Sequence, residues 1–301
     1  MANPIMTGLP IYVEERRLPL YHKAVLSAKS AKLFTLQSDI KTSAVVNLFD
    51  TTVAFGDGNT CGWDDAGSVK MSQRVLTTGQ IKINMAFCEK EFLKYWTQYE
   101  VRVQAGQKTL PFEEYFINSI VENVAAEVEK TIWQGDTALT GDTNLKYFNG
   151  LIKILDAEDD VITPEVASGS TAYDAIKAVY LAIPENVLDK AVVFVGADTF
   201  RAYMQEMVEK NYYHYTADGM PAEEFVLPGT NTKVIAVNGL NGTKTIVAGN
   251  PEHIFYGCDI EGAEKAIEMW YSQDFRENRL AIEFNAGVQV AFPSEIVKAT
   301  L

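Results

Sequence analysis

PFEEYFINSIVENVAAEVEKTIWQ, residues 111–134, is the stretch on which the fold turns. Its apolar residues are Phe116/Ile117, Ile120/Val121, Val124/Ala125, Val128 and Ile132/Trp133. They recur at three-and-four spacing, the mark of one buried helical stripe. Glu122, Glu127, Glu129 and Lys130 fall between the stripe positions. Pro111 suits the first helical position, where its missing N–H would be unpaired anyway. Glu113 and Glu114 stand in the first turn, where the helix dipole favours anions. Gly135 follows and is expected to end the helix in the left-handed conformation. At about 1.5 Å per residue the helix is roughly 36 Å long.

Its partner is LAIEFNAGVQVAF, residues 280–292. Ile282, Phe284, Ala286, Val288, Val290 and Phe292 alternate with Ala281, Glu283, Asn285, Gly287, Gln289 and Ala291, so the segment reads as a strand with one buried face. A helix and a strand of similar length, each with one apolar face, can bury each other. Whatever lies between them in sequence is then an insertion into that layer pair.

The 301 residues carry a formal net charge of −14 and a sequence pI near 4.7. Such a balance argues against DNA wrapping and against affinity for anionic membranes. Residues 1–50 are slightly basic and the remainder strongly acidic. No early apolar run with a cleavage site is visible, and no stretch has the length of a membrane-spanning helix. Cys61, Cys88 and Cys258 are widely spaced and odd in number, so free thiols are the plain reading.

Along the chain, Pro4, Pro10 and Pro19 argue against early helix. Residues 1–49 read as an extended arm with a short helix from about residue 21. Residues 45–55 are β-like. The Gly/Asp-rich loop at 56–67 is followed by two strands, 69–76 and 80–87, with Thr77-Thr78-Gly79 as a hairpin turn. This hairpin has little apolar sequence around it and reads as a projecting arm that needs cover from outside. A short helix is expected at 89–99. From about residue 156 the pattern changes. A helix at 171–183 opens on a capping-box-like Thr171/Asp174. Residues 191–195, AVVFV, read as a strand buried on both faces. A further helix is capped by Asp198. Strands at 233–237 and 244–248 flank the turn 238–242, and residues 254–256 make a third strand of an inserted α+β domain.

Motifs for chemistry are sparse. Asp57-Gly58-Asn59-Thr60-Cys61 begins like a calcium loop, but Cys61 stands where an oxygen ligand belongs and no Glu closes the loop. Asp156, Glu158, Asp159 and Asp160 form an acidic cluster without a ligand pattern around it, which is usually a solvated surface loop. His22, His214 and His253 lie at no metal-ligand spacing. No phosphate loop, dinucleotide fingerprint or nucleophile elbow is present. No cofactor, metal or catalytic residue is therefore expected.

The order of parts carries more than any motif. A flexible arm, a projecting hairpin, a long helix ending in Gln134-Gly135-Asp136-Thr137, then Asn149-Gly150-Leu151-Ile152, an inserted α+β domain, Ile246-Val247-Ala248-Gly249, and a closing strand before Pro293: this order resembles the HK97-type major capsid proteins of tailed phages. The resemblance implies an α+β HK97-like capsid fold with an N-terminal arm (1–49), an extended β-hairpin loop (50–87), a peripheral domain with a long spine helix (88–155 and 268–301) and an inserted axial domain (156–267). It further implies a structural protein that assembles with itself, as pentamers and hexamers, into an icosahedral virion shell around double-stranded DNA. Partners would be a separate scaffolding protein, a portal and decoration proteins, with no membrane. An encapsulin-like nanocompartment shell and a cytoplasmic α+β enzyme are the alternatives.

Five residues are expected at subunit interfaces. Trp63 is an aromatic in a Gly/Asp loop, the kind of side chain that anchors interfaces. Arg74 is expected to reach a neighbour's carboxylate. Tyr213 and His214 lie in an aromatic contact loop that the resemblance places near a symmetry axis. Lys70 lies in the loop from which some members of the family cross-link a lysine, although no partner for it is identifiable.

Overall fold

The computed structural model describes residues 4–55, 67–88, 112–141, 143–167, 169–210, 224–259 and 266–301. The expected helix at 89–99 and the calcium-like loop at 57–61 lie outside them.

The N-terminal segment corrects the expectation of an extended arm. It forms three helices, α1 (Pro4–Glu15), α2 (Arg17–Leu26) and α3 (Lys29–Leu33). Leu9, Val13, Leu20, Tyr21, Ala24 and Val25 are buried in the main core. Pro4 opens α1 and Pro19 lies in the first turn of α2, where a missing N–H forfeits no helical bond. Pro10 lies inside α1. Burial of the apolar face offsets its cost of about 3 kcal/mol.

After β1 (Thr35–Gln37) come β2 (Ser43–Thr52), β3 (Ser68–Thr77) and β4 (Gly79–Cys88). The hairpin expected from 69–76 and 80–87 does not form. β3 pairs antiparallel with β2, Val45 opposite Val75 and Phe49 opposite Met71, making a two-stranded ribbon. β4 turns away and joins another sheet. The corner is Thr78, whose N–H and hydroxyl both donate to the Thr42 carbonyl. Alternation gives a strand its faces but not its partner, and residues 43–52 alternate as well as 80–87 do.

The long helix α4 (Phe112–Gln134) buries the expected stripe, Ile117, Ile120, Val121, Val124, Ala125, Val128, Ile132 and Trp133. Glu129, expected among the solvated charges, is buried with it. Gly135 is not among the residues with positive φ. Its glycine is required by close approach instead: a Cβ there would stand 2.4 Å from the Phe148 carbonyl oxygen. Gly150 donates its N–H to the Gly135 carbonyl (2.8 Å) as the chain enters α5 (Leu151–Asp156).

Next come α6 (Ala172–Ala182), β5 (Val192–Gly196), α7 (Ala197–Glu209), β6 (Glu224–Val226), β7 (Lys233–Val237) and β8 (Thr245–Gly249). Thr171 caps α6 as expected, accepting the Asp174 N–H, and the Glu206 carboxylate of α7 accepts the N–H groups of Ala172 and Tyr173. Asp198 lies in the first turn of α7 rather than at its cap, which is Gly196. The chain closes with β9 (Ile254–Cys258), β10 (Ile267–Ser272), β11 (Glu277–Val290) and β12 (Val297–Thr300).

Two five-stranded sheets result. In the first, β11 is the axis. Residues 277–286 pair with β4 along one edge, while along the other edge β10 pairs with 277–282 and β9 with 286–290. β1 adds to β9 in parallel. Ile282, Phe284, Ala286, Val288 and Val290 of β11 are buried and Glu283 is exposed, as the alternation requires. The second sheet has the order β12-β8-β5-β7-β6. β9 was expected in this second unit. It joins the first sheet instead, while the C-terminal strand β12 crosses over to the second and pairs with β8. β7 and β8 are likewise separated by β5, so the turn at 238–242 is a crossover and not a hairpin.

The second sheet is covered on both faces, as the unbroken apolar run of β5 predicts. Val193 and Val195 face α6 and α7, within one apolar cluster. Phe194, Ile235, Val237 and Val247 belong to the main core with α4. Trp133 is the junction. Its ring lies 5.4 Å from Phe194 and 6.0 Å from Phe34, and a Cβ on Gly239 would stand 2.2 Å from its Cδ1.

Candidate assembly surfaces

The fold leaves one element standing out from both cores, the β2–β3 ribbon. The pairing sorts its side chains into two faces. The inner face holds Val46, Leu48 and Leu76, which are buried in a small cluster with Ile40 and Ala291 at the ribbon's base. The outer face holds Val45 and Val75, Asn47 and Gln73, Phe49 and Met71, Thr51 and Val69. Phe49 is 61% exposed and Met71 75%. The Gln73 side-chain amide donates to Asn47 Oδ1 (3.0 Å), so the polar pair in the middle of this face is satisfied within the ribbon. Val53 and Phe55 continue the exposed apolar run towards the tip. An isolated two-stranded ribbon is marginal in water, and among the described residues only the inner face has cover.

Arg74, on the inner face, makes a bidentate pair with Glu158 of its own chain (2.8 and 2.7 Å). That carboxylate meets the role expected of a neighbour, and Arg74 holds its carboxyl below the usual range. The pair ties the ribbon to the segment that leads into the second sheet. Nearby, Asp156 accepts from Lys298 of β12. Two members of the acidic cluster are therefore ion-pair partners, and no group of three His, Cys, Asp or Glu able to hold a metal occurs among the described residues. Lys70 is exposed on β3, opposite Asp50 in the register. Trp63, Tyr213 and His214 lie outside the described residues.

A second uncovered surface lies between β4 and α4. Ile81, Ile83 and Met85 form one wall, Ile120, Val124 and Val128 the other, with Phe284 also lining it, around a groove of about 260 Å³. Its rim is polar: Asn123 and Glu127 stand on α4, and Asn144 donates to Glu127 (3.0 Å).

Sequence reading missed one buried titratable group. Glu129 Oε2 accepts the Ser30 N–H (2.9 Å) and Oε1 accepts the Ser30 hydroxyl (2.5 Å), while Trp133 Nε1 donates to that same hydroxyl oxygen (2.7 Å). Burial pushes the Glu129 carboxyl above its ordinary value, although the bonds from Ser30 and Trp133 and the charge of Lys29 oppose it. This network pins α3 to α4. One face of α4 offered no warning, because Glu129 neighbours Val128 at the edge of the apolar stripe. Of the described cysteines, Cys88 and Cys258 are free thiols, and burial pushes the Cys258 thiol up to about 12. No described helix is long and apolar enough to cross a membrane.

No family model and no curated protein matches the sequence. Solved structures do match it. A chain of the satellite phage P4 procapsid including size determination (Sid) protein superposes with TM-score 0.58 at 10% identity, over 100% of this chain and 98% of that one. The capsid of an empty GTA particle gives TM-score 0.55 at 11% identity, over 93% and 90%. A virus-like particle from Pyrococcus furiosus gives 0.52 at 8% identity, over 95% and 98%. At these identities the likeness is one of fold, and the fold is that of capsid shells.

Proposed function

We propose that this chain, which carries the HK97-type capsid fold, is a major capsid protein, a structural subunit that assembles with copies of itself into the icosahedral head of a tailed phage. The observation that supports the reading is the superposition of the whole of this chain on a chain of the satellite phage P4 procapsid. In this reading the β2–β3 ribbon and the residues between its strands belong to the extended loop, with Trp63 and Lys70 at a neighbour's surface. The first sheet with α4 forms the peripheral domain, and the second sheet with α6 and α7 forms the axial domain. Tyr213 and His214 then approach a five- or six-fold axis. A scaffolding protein, a portal and packaged double-stranded DNA are the expected partners, and strong net negative charge suits an inner wall that holds DNA loosely.

A nanocompartment shell of the same fold is the second reading, favoured by the likeness to the Pyrococcus furiosus particle. Electron microscopy of the purified chain, alone and with a co-expressed scaffold, tests the shell. Closed particles are expected, and a monomer that never assembles under either condition would overturn it. Nuclease-resistant genomic DNA in native particles separates a phage head from an enzyme-loaded compartment.

A further inference from the structure

Among the described acids Glu129 alone is buried, at 4% exposure, and the Ser30 that faces it is at 0%. A carboxylate shut away from water is costly, and a buried acid escapes the cost by keeping its proton or by letting water in. The heavy atoms suit the protonated form. Ser30 Oγ has one lone pair for the Trp133 N–H (2.7 Å) and a second for a carboxyl O–H at Oε1 (2.5 Å), and the Ser30 N–H closes the pair on Oε2 (2.9 Å). Titratable groups reach this acid from two other elements. On α3, Lys29 favours the ionised form, although its ammonium donates to the Ala236 carbonyl of β7 (2.9 Å). On β9, the Tyr256 phenol feels the Glu129 charge and donates to the Val25 carbonyl (3.2 Å). Burial outweighs Lys29 and the hydrogen bonds and raises the carboxyl.

The two sides of this contact are unequal. Glu129 and Trp133 belong to the 23-residue α4, which is held along its whole apolar stripe. Ser30 belongs to the five-residue α3, too short to hold as an isolated helix. When the contact fails, it opens on the α3 side, where the buried apolar side chains to be lifted are Ala28, Ala31 and Phe34.

We infer that α3 is a proton-gated latch on α4: it lies shut while Glu129 keeps its proton, and it lifts to admit water once Glu129 is ionised and the proton has passed to solvent. The latch belongs to the single chain and does not depend on the shell reading. Opened, the acid titrates in the ordinary carboxylate range; shut, it titrates above that range. Between the two values opening releases one proton, so raising the pH favours the open form about ten-fold per pH unit and lowering it closes the latch. Phe34 lies 6.0 Å from the Trp133 ring, so lifting α3 uncovers the aromatic junction between the two sheets.

Native-state hydrogen exchange on the unassembled full-length chain, stepped from about pH 5 to about pH 9 and corrected for intrinsic exchange rates, reads the opening. Protection of the amides of residues 29–34 should fall about ten-fold per pH unit over part of that range and then level off, while that of residues 117–128 on α4 holds steady. Glu129→Gln, whose side-chain amide donates to Ser30 Oγ at every pH, should abolish the slope. Should that variant not fold, the unaltered chain decides by itself. A flat profile for residues 29–34, or an equal fall across α4, overturns the latch, and so does a slope that survives in Glu129→Gln.

Discussion

Trp133→Ala probes the junction on which the two halves of the molecule meet. The Trp133 side chain is fully buried between Phe34, which follows α3, and Phe194 of β5, at ring distances of 6.0 Å and 5.4 Å. Its indole N–H is committed to Ser30 Oγ at 2.7 Å, and Gly239 lies against its edge with no room for a Cβ. Truncation removes the transfer free energy of the ring and leaves a cavity that three elements border, a loss of about 3–5 kcal/mol. For a chain of this size each kcal/mol lowers Tm by about 2–4 °C, so the fall should lie near 6–20 °C. The polar part is separable. Trp133→Phe keeps most of the packing and removes the donor, which should cost about 1–3 kcal/mol if the Ser30 hydroxyl is thereby under-satisfied. Combining Trp133→Phe with Ser30→Ala should give less than the sum of the single losses, because the residues share one network. Chemical denaturation of the unassembled chain, followed by circular dichroism at fixed protein concentration, measures all four variants. A loss below about 1 kcal/mol for Trp133→Ala would refute the claim that this ring is packed core, and strict additivity would refute the shared network.

Glu129 has its carboxyl raised by burial, so the folded chain holds that proton more tightly than the unfolded one. Its contribution then weakens as pH rises from the ordinary carboxylate range through the raised value. Glu129→Gln should remove that slope and stabilise the chain most at neutral pH relative to pH 5; melts that shift equally at both pH values would contradict this. Phe284→Ala, at a position 5% exposed on β11, should cost about 3–5 kcal/mol, and a near-neutral effect in denaturant titration would mean that this face is not core. Arg74→Ala should free the ribbon from Glu158 and raise amide exchange across residues 43–52 and 68–77 in the unassembled chain, while unchanged protection would show that the ion pair does not hold it. A fragment of residues 156–267 should unfold without cooperativity, because β12 and the α4 packing are missing. Appending residues 296–301 through a flexible linker should improve it by returning the partner of β8, and equal melts for the two fragments would argue that β12 contributes nothing.

Periodicity was enough to place the elements that bury a face along their own length. The stripe of α4 and the alternation of β11 were legible because a core-facing helix repeats near 3.6 residues and a half-buried strand at two. The unbroken run of β5 likewise announced cover on both faces. Side-chain alternation does not name a strand's neighbour, however. Residues 43–52, 68–77 and 79–88 all alternate, and only the closed structure pairs β3 with β2 and β4 with β11. The same limit hid the exchange of β9 and β12 between the sheets, a matter of contacts between residues far apart in the chain. The early prolines misled because their cost is small beside the burial of α1 and α2 against α4, which no local window contains. Glu129 looked solvated because its donor, Ser30, reaches it from another helix, held there by the indole N–H of Trp133 one turn further along α4. Arg74 was expected to reach a neighbour's carboxylate, but tertiary structure supplied Glu158 from the same chain. Local pattern reports how a residue sits on its own element, whereas pairing, buried charge and the open face of the ribbon depend on where distant elements come to rest.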